Sequence, residues 1–288
     1  MRVLVLGGDG MLGHRLLACM TPWHDVRVTL RQDLAAYEQF RLFTPENSFS
    51  GVDARVPDCL SAILADFHPQ IIVNAVGIVK QRPDAHEHVV NLEINSLLPH
   101  RLALICRAIG SRLIHISTDC VFSGKRGKYR EDDLPDAQDL YGRSKLLGEV
   151  SEPPALTLRT SMIGRELWRK TSLLEWFLAQ RGPVKGFCNA IFSGLTTTEL
   201  ARLIEMLIVK FPEASGLYHV SSEPISKYDL LRLIRDKLAV STEIRPDRDF
   251  HCDLSLDSTR FRKTFNYSPP SWSIMVDEVA EEIRACRT

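Results

Sequence analysis

Tyr141 and Lys145 occupy positions i and i+4 of Tyr141-Gly142-Arg143-Ser144-Lys145, downstream of Ser117-Thr118-Asp119. On a helix this spacing stacks a phenol and an ammonium on one face. The ammonium favours phenolate and so lowers a phenol pKa that begins at about 10. A tyrosine tuned in this way can act as a general acid near neutrality, and the Thr118 hydroxyl adds a second hydrogen bond for a carbonyl oxygen. Phenol, ammonium and hydroxyl together form a set able to hold and protonate a carbonyl oxygen while a hydride donor reduces the carbon.

The Tyr-x-x-x-Lys spacing is common when it stands alone, and the start of the chain gives it context. An apolar, β-branched run, Arg2–Leu6, leads into Gly7-Gly8-Asp9-Gly10-Met11-Leu12-Gly13 and then into the amphipathic stretch Met11–Met20. Glycines between a strand and a helix allow a tight turn and close approach to a pyrophosphate, and the helix N-terminus presents unpaired N–H groups at a positive dipole end. Gly7, Gly10, Met11, Leu12 and Gly13 are therefore expected to bind a dinucleotide. The second strand, Val26–Leu30, is followed by Arg31. An acidic residue near this point suits the ribose 2′-hydroxyl of NAD, whereas an arginine suits a 2′-phosphate, so Arg31 points to NADPH (NADP).

These groups need a frame. The chain has 288 residues, 44% of them hydrophobic, enough for one large α/β unit with a smaller annex. Runs at Arg2–Leu6, Val26–Leu30, Ser50–Ala54, Ile71–Ala75, Arg112–Ser117 and Ala155–Arg159 predict strands. Helical patterns near Met11–Met20, Cys59–Phe67, Val89–Ile109 and Tyr141–Val150 fall between them. Alternation of this kind predicts a Rossmann-type, doubly wound parallel sheet with a smaller C-terminal substrate-binding lobe. The expected division is an NADP-binding domain at 1–160 that carries the catalytic residues and a substrate lobe at 161–288, some of whose segments return to the sheet. Further helices are expected near Thr198–Phe211, Lys227–Leu238 and Ile274–Ala285. The long, charged loop Ser123–Leu140 is expected on the surface, facing substrate. Ligands of such sheets bind outside the carboxyl ends of the strands, where Gly7, Asp53, Ala75, Thr118 and Arg159 are expected.

Formal net charge is zero, so no global field recruits nucleic acid or an anionic membrane. Seven scattered cysteines (Cys19, Cys59, Cys106, Cys120, Cys188, Cys252 and Cys286) with no Cys-x-x-Cys pair predict a reduced, cytoplasmic protein. A strand beginning at Arg2 leaves no room for a signal peptide, and charges interrupt every apolar run before membrane-spanning length. Cys19, Cys59 and Cys106 sit in apolar helical patterns and are expected in the core. His86 and His88 point to different helix faces, and no metal site is expected. Trp168 and Trp176 are spaced to share a helix face.

Several motifs together resemble the extended short-chain dehydrogenase/reductase superfamily, and within it the dTDP-4-dehydrorhamnose reductases, nearly end to end. They are the glycines of Gly7–Gly13, Asn74-Ala75-Val76-Gly77, Asn95, Ser117–Phe122 and Tyr141–Glu149. Leu158–Ser161, Thr196–Ala201, Tyr218–Ser221 and Leu256–Phe261 also fit the pattern. The resemblance implies an oxidoreductase acting on a nucleotide sugar in O-antigen or lipopolysaccharide precursor synthesis, with a homodimer left open. It assigns Thr118 to the substrate carbonyl, Tyr141 to protonation of the oxygen, and Lys145 to the nicotinamide ribose and the phenol. Asp53 and Ala54 would meet the adenine, and Asn74, Ala75, Val76 and Gly77 would line the cofactor. Asn95 would tie the central strands to the catalytic helix, with a purely structural role and a proton-relay role both open.

The chain departs from the reductase pattern at Cys120, where a tyrosine is usual, and at Met162, where an aromatic residue is expected. Asn74–Gln81 and Gly186–Leu195 resemble reductases of UDP-activated 2-acetamido-2,6-dideoxy-4-ketohexoses. Lys80, Asp119, Cys120, Arg165, Lys185 and Asn189 are then the candidate substrate contacts. Asp119-Cys120 replaces the Asp-Glu of the dehydratases. Cys120 occupies the position of the GDP-fucose synthase cysteine, but no histidine lies between His115 and His219 to complete an epimerase pair. Two alternatives remain: an epimerase–reductase using Cys120, and a non-catalytic regulatory subunit resembling the methionine adenosyltransferase β subunit.

Overall fold

A computed structural model describes residues 1–168 and 171–285. Along the chain the elements run β1 (Arg2–Leu6), α1 (Gly13–Met20), β2 (Asp25–Thr29), β3 (Ser48–Phe49), α2 (Pro57–Phe67) and β4 (Ile71–Asn74). A long helix follows in three parts, α3 (His88–Asn91), a π-helical run Leu92–Leu97 and α4 (Leu98–Ile109), and leads to β5 (Arg112–Thr118). Next come α5 (Leu140–Leu147), β6 (Ala155–Thr160), β7 (Met162–Ile163), α6 (Leu173–Leu178), β8 (Val184–Phe192), β9 (Leu195–Thr196) and α7 (Thr197–Lys210). The described chain ends with β10 (Gly216–His219), β11 (Ile225–Ser226), α8 (Lys227–Leu238), β12 (Ile244–Asp253), α9 (Thr259–Phe265) and α10 (Trp272–Ala285).

Seven strands form one sheet in the order β10-β6-β5-β4-β1-β2-β3. The ladders joining β3, β2, β1, β4 and β5 are all parallel. Every residue of β4 and β5 is buried, as required of strands covered on both faces; β4 is apolar up to Asn74, whereas β5 also buries Arg112, His115, Ser117 and Thr118. On one face, Leu60, Ile63, Leu64 and Phe67 of α2 pack with Leu98, Leu102 and Cys106 of α4 over Leu4, Leu6, Ile72 and Leu113. The i, i+3, i+4 spacing supplies that stripe, and each large side chain contributes about 1.5–3 kcal/mol on burial.

The third strand lies at Ser48–Phe49 rather than Ser50–Ala54. Gly51 adopts the left-handed region (φ 70°), which ends the extended run, although Val52 N still donates to Leu30 O at 2.9 Å. Trp168 and Trp176 do not share a helix: α6 begins at Leu173, after the Glu166 carboxylate has accepted hydrogen bonds from Thr171 N and Ser172 N. Of the three helical cysteines, Cys106 alone is fully buried, and Cys19 and Cys59 are half-buried.

The chain divides into two compact units. One comprises Met1–Ser117, Asp139–Leu158 and Ala201–Leu217; the other comprises Thr118–Gln138, Arg159–Leu200 and the segment from Tyr218 onward. The second unit contains a three-stranded sheet, β11-β8-β12, and a two-stranded one, β7-β9. β8 runs antiparallel to β11 and parallel to β12, with a register shift between Asp247 and His251. Sequence patterning foresaw the helices α7, α8 and α10 but not this sheet. β12 reads Ile-Arg-Pro-Asp-Arg-Asp-Phe-His-Cys-Asp and is mostly exposed, so it carries no apolar alternation to mark it as a strand.

Candidate active site

At the end of β1 the chain turns at Gly7 (φ 86°). Gly7 N donates to Thr29 Oγ1 at 3.1 Å, and Gly8 N donates to Thr29 O at 2.9 Å, fastening the turn to the end of β2. A Cβ on Gly13 would lie 1.9 Å from Gly7 O, and one on Gly8 would lie 2.4 Å from Val28 Cγ2. Only glycine fits at either point. No acidic side chain occupies the first turn of α1, so its N-terminal N–H groups and positive dipole end are suited to an anion. This is a cradle fitted to a pyrophosphate. Gly8 escaped the sequence motif because the residue that demands it, Val28, lies on another strand.

Beyond β4, Asn74 Oδ1 accepts from Val76 N at 3.2 Å, and Asn74 Nδ2 lies 3.2 Å from His115 Nδ1. Val76 packs on the glycine turn, since a Cβ on Gly7 would meet Val76 Cγ2 at 3.0 Å. Asn95, in the π-helical run and fully buried, accepts from Ile78 N at 2.9 Å and donates to Ile78 O at 3.0 Å and Ser144 Oγ at 3.1 Å. A Cβ on Gly148 would fall 1.8 Å from Asn95 O. Asn95 thus joins the segment after β4 to α5.

Arg31 is exposed just beyond β2. Asp53 does not terminate a strand. Its carboxylate takes Arg55 Nη2 at 2.5 Å and Arg55 N at 2.9 Å, and the Arg55 hydrogen bond holds its pKa down at about 2 despite partial burial. Arg55 carries no motif and was not anticipated. Tyr37 was also missed; it lies in a 3-10 turn, Leu34–Phe40. Its hydroxyl donates to Asp9 Oδ2 at 3.1 Å and accepts from Gln32 N at 3.2 Å, joining the glycine turn to the Arg31 loop. Burial pushes the Tyr37 phenol up to about 12, which keeps it a donor.

Tyr141 and Lys145 lie on α5, whose N-cap, Asp139, accepts from Gly142 N at 3.0 Å. Lys80 pairs with Asp139 Oδ2 at 2.9 Å, and its Nζ sits 5.8 Å from the centre of the Tyr141 ring. Lys145 is buried, and its Nζ donates to Ile116 O at 2.6 Å. Burial draws the Lys145 ammonium down to about 8, while the Glu149 carboxylate works in the opposite direction. Ser117 Oγ donates to Glu149 Oε1 at 2.6 Å.

In the second unit, Thr118 Oγ1 donates to Asp119 Oδ1 at 3.1 Å and accepts from Cys120 N at 3.1 Å. Asp119 is buried, and that burial raises its pKa against hydrogen bonds from Cys120, Thr118 and Ser161 and the charge of Lys227. Its carboxylate orients Thr118. The three more distal candidates do not converge. Arg165 bonds Glu175, Lys185 pairs with Asp247 at 2.9 Å, and Asn189 Nδ2 donates to Arg248 O at 2.7 Å. His219, from the Tyr218–Ser221 motif, is buried: its Nδ1 donates to Tyr129 O at 3.0 Å, leaving Nε2 to accept from Arg159 Nη1 at 3.2 Å. Burial, seconded by the Arg159 charge, lowers His219 to about 4.

Among the described residues, no group of three His, Cys, Asp or Glu side chains is placed to hold a metal, no disulfide forms, and no helix is long and apolar enough to cross a membrane. Cys286 lies outside the described residues.

The sequence matches the RmlD substrate binding domain family over residues 1–285. The chain belongs to that family. Among its relatives, the dTDP-4-dehydrorhamnose reductase of Aggregatibacter actinomycetemcomitans is 27% identical, over 94% of this chain and 95% of that protein. The methionine adenosyltransferase 2 subunit beta of Bos taurus is 33% identical, over 86% of this chain and 75% of that one. In structure, the dTDP-4-dehydrorhamnose reductase of Bacillus anthracis, solved in complex with NADP, superposes with a TM-score of 0.79 at 21% identity, covering 98% of this chain and 99% of that chain. The fold is therefore that of the reductases.

Proposed function

We propose that this RmlD-family chain is an NADPH-dependent reductase of a nucleotide-activated 4-keto-6-deoxy sugar. The observation that carries the proposal is the α5 pair: Tyr141 one helical turn from a Lys145 ammonium that is buried and bonded to the Ile116 carbonyl at 2.6 Å. A buried ammonium beside a phenol has the charge required to stabilise phenolate once the proton has left.

NADPH, when bound, supplies the hydride to the carbonyl carbon. Tyr141 gives its proton to the carbonyl oxygen, Lys145 offsets the charge left on the phenol, and the Thr118 hydroxyl becomes a donor for a substrate carbonyl once its proton turns away from Asp119. Gly7, Gly8, Gly10 and Gly13 admit the pyrophosphate, Asn74 to Gly77 form the adjoining wall, and Arg31 receives the 2′-phosphate. Asp53 and Ala54 serve the adenine, with Arg55 fixing the Asp53 carboxylate. The 33% identity to the Bacillus subtilis spore coat polysaccharide biosynthesis protein SpsK, over 62% of this chain, favours a polysaccharide precursor as the product's destination. The departures at Cys120 and Met162 weigh against dTDP-dehydrorhamnose itself, the resemblance of Asn74–Gln81 and Gly186–Leu195 favours a UDP-2-acetamido-2,6-dideoxy-4-ketohexose as the substrate, and the cytoplasm is the compartment where such precursors meet NADPH.

The identity to the adenosyltransferase subunit favours a second reading, a regulatory subunit that binds a dinucleotide without turning it over. Incubation with NADPH and a panel of dTDP-, UDP- and GDP-4-keto-6-deoxy sugars separates the two. Loss of the reduced-nicotinamide absorbance with one nucleotide series is expected, and NADPH binding without oxidation across the panel would establish the regulatory reading.

A further inference from the structure

The proposed chemistry requires Lys145 to carry charge while buried, a state that a protein interior opposes unless something compensates it. Its visible hydrogen bond, to Ile116 O at 2.6 Å, is to a neutral carbonyl. The carboxylate that acts on it comes from Glu149, four residues further along and just past the C-cap of α5. Glu149 is itself fixed: its Oε1 accepts from Ser117 Oγ at 2.6 Å, and Ser117 is the strand neighbour of Ile116. Two adjacent residues of β5 thus receive the ammonium and the carboxylate, Ile116 through its carbonyl and Ser117 through its hydroxyl. The other titratable groups near Lys145 do not supply a negative charge. His115 of β5 is fully buried and held well below the ordinary imidazole range by desolvation and by Lys145 itself, with a smaller contribution from His100 of α4. His100 Nε2 lies 2.8 Å from Leu147 O. Tyr141, on the same helix, is the group that Lys145 serves.

We propose that Glu149, clamped to β5 by the Ser117 hydroxyl, is the positioning residue that keeps Lys145 an ammonium at neutral pH. It touches neither the reacting atoms nor the cofactor in this scheme and acts only through Lys145. The inference rests on the reductase reading for its purpose but not for its measurement. Because burial already draws Lys145 down to about 8, removal of an opposing carboxylate leaves a large fraction of the enzyme with a neutral amine at pH 7.5.

The test is a titration of the free protein labelled with [13Cε]lysine, the Lys145 resonance being assigned by its loss in Lys145→Met. Glu149→Gln is expected to move the Lys145 midpoint down by about one pH unit, the shift typical of an opposite charge at close range. Ser117→Ala should move it less in the same direction, and Glu149→Asp should recover part of the change. An unmoved midpoint in folded Glu149→Gln overturns the inference; if that variant does not fold, an unmoved midpoint in Ser117→Ala does so. Turnover of NADPH by Glu149→Gln should show the alkaline limb of kcat displaced to lower pH by the same interval, with activity recovering near pH 6. A wild-type chain that titrates as expected but oxidises no NADPH keeps the Lys145–Glu149 coupling and removes the reductase.

Discussion

Polar groups along α5 and along β8 meet different fates. On α5, Lys145 is buried with its hydrogen bond aimed at the backbone of β5, and its chemistry follows from a spacing within one helix. On β8, Lys185 is 74% exposed and tied to Asp247 of β12, and Asn189 is drawn to the Arg248 carbonyl. The comparison shows which kind of sequence signal survives folding. A pair set by helical periodicity keeps its geometry wherever the helix goes, whereas a lone polar residue on a strand takes its partner from a neighbouring strand that its own sequence does not reveal.

The sharpest way to break this comparison is to remove the phenol. Tyr141→Phe leaves the ring in place and deletes the proton donor, so turnover should fall by about 10²–10⁴-fold while NADPH affinity, measured by fluorescence, stays near normal. Near-normal turnover would show that the α5 pair has no catalytic role and would lead to the regulatory reading.

A smaller effect is expected at Arg31, a lone exposed charge in a loop that the proposed function assigns to the 2′-phosphate. Charge-assisted hydrogen bonds to a phosphate contribute about 1.5–3 kcal/mol, so NADPH should bind roughly tenfold or more tighter than NADH. Arg31→Asp should abolish that preference, as read by the two dissociation constants. Equal affinities in the unmutated protein would place Arg31 with Lys185 of β8.

The smallest effect belongs to Lys185→Ala. An exposed ion pair adds little to stability, and the thermal midpoint should move by no more than about a degree or two. The KM for the sugar nucleotide should stay within about twofold, the range expected where no interaction beyond a screened surface charge is lost. A tenfold rise in KM with unchanged kcat would make Lys185 a substrate contact and erase the contrast with α5.

Much of the fold was legible before any coordinates. Apolar strands alternating with amphipathic helices specify a covered parallel sheet, because strands buried on both faces are rich in apolar residues and the helices that cover them need a stripe of period 3.6. Gly7, Gly10 and Gly13 marked the turn after β1, and the spacing of Tyr141 and Lys145 marked the helix α5. The polar, exposed β12 gave no such sign, nor did the bend at Gly51 that moved β3 to Ser48–Phe49.

The chain's local sequence determined what periodicity and backbone freedom can encode: which residues form the sheet, where a glycine must turn it, and which two side chains share a helix face. Tertiary structure decided the partners. The approach of Val28 to Gly8, the reach of Tyr37 from a 3-10 turn to Asp9 and the closing of Ser117 on Glu149 each join residues on different elements or loops. Such contacts depend on distances set by the packing of whole elements, and that packing is a property of the summed core rather than of any motif.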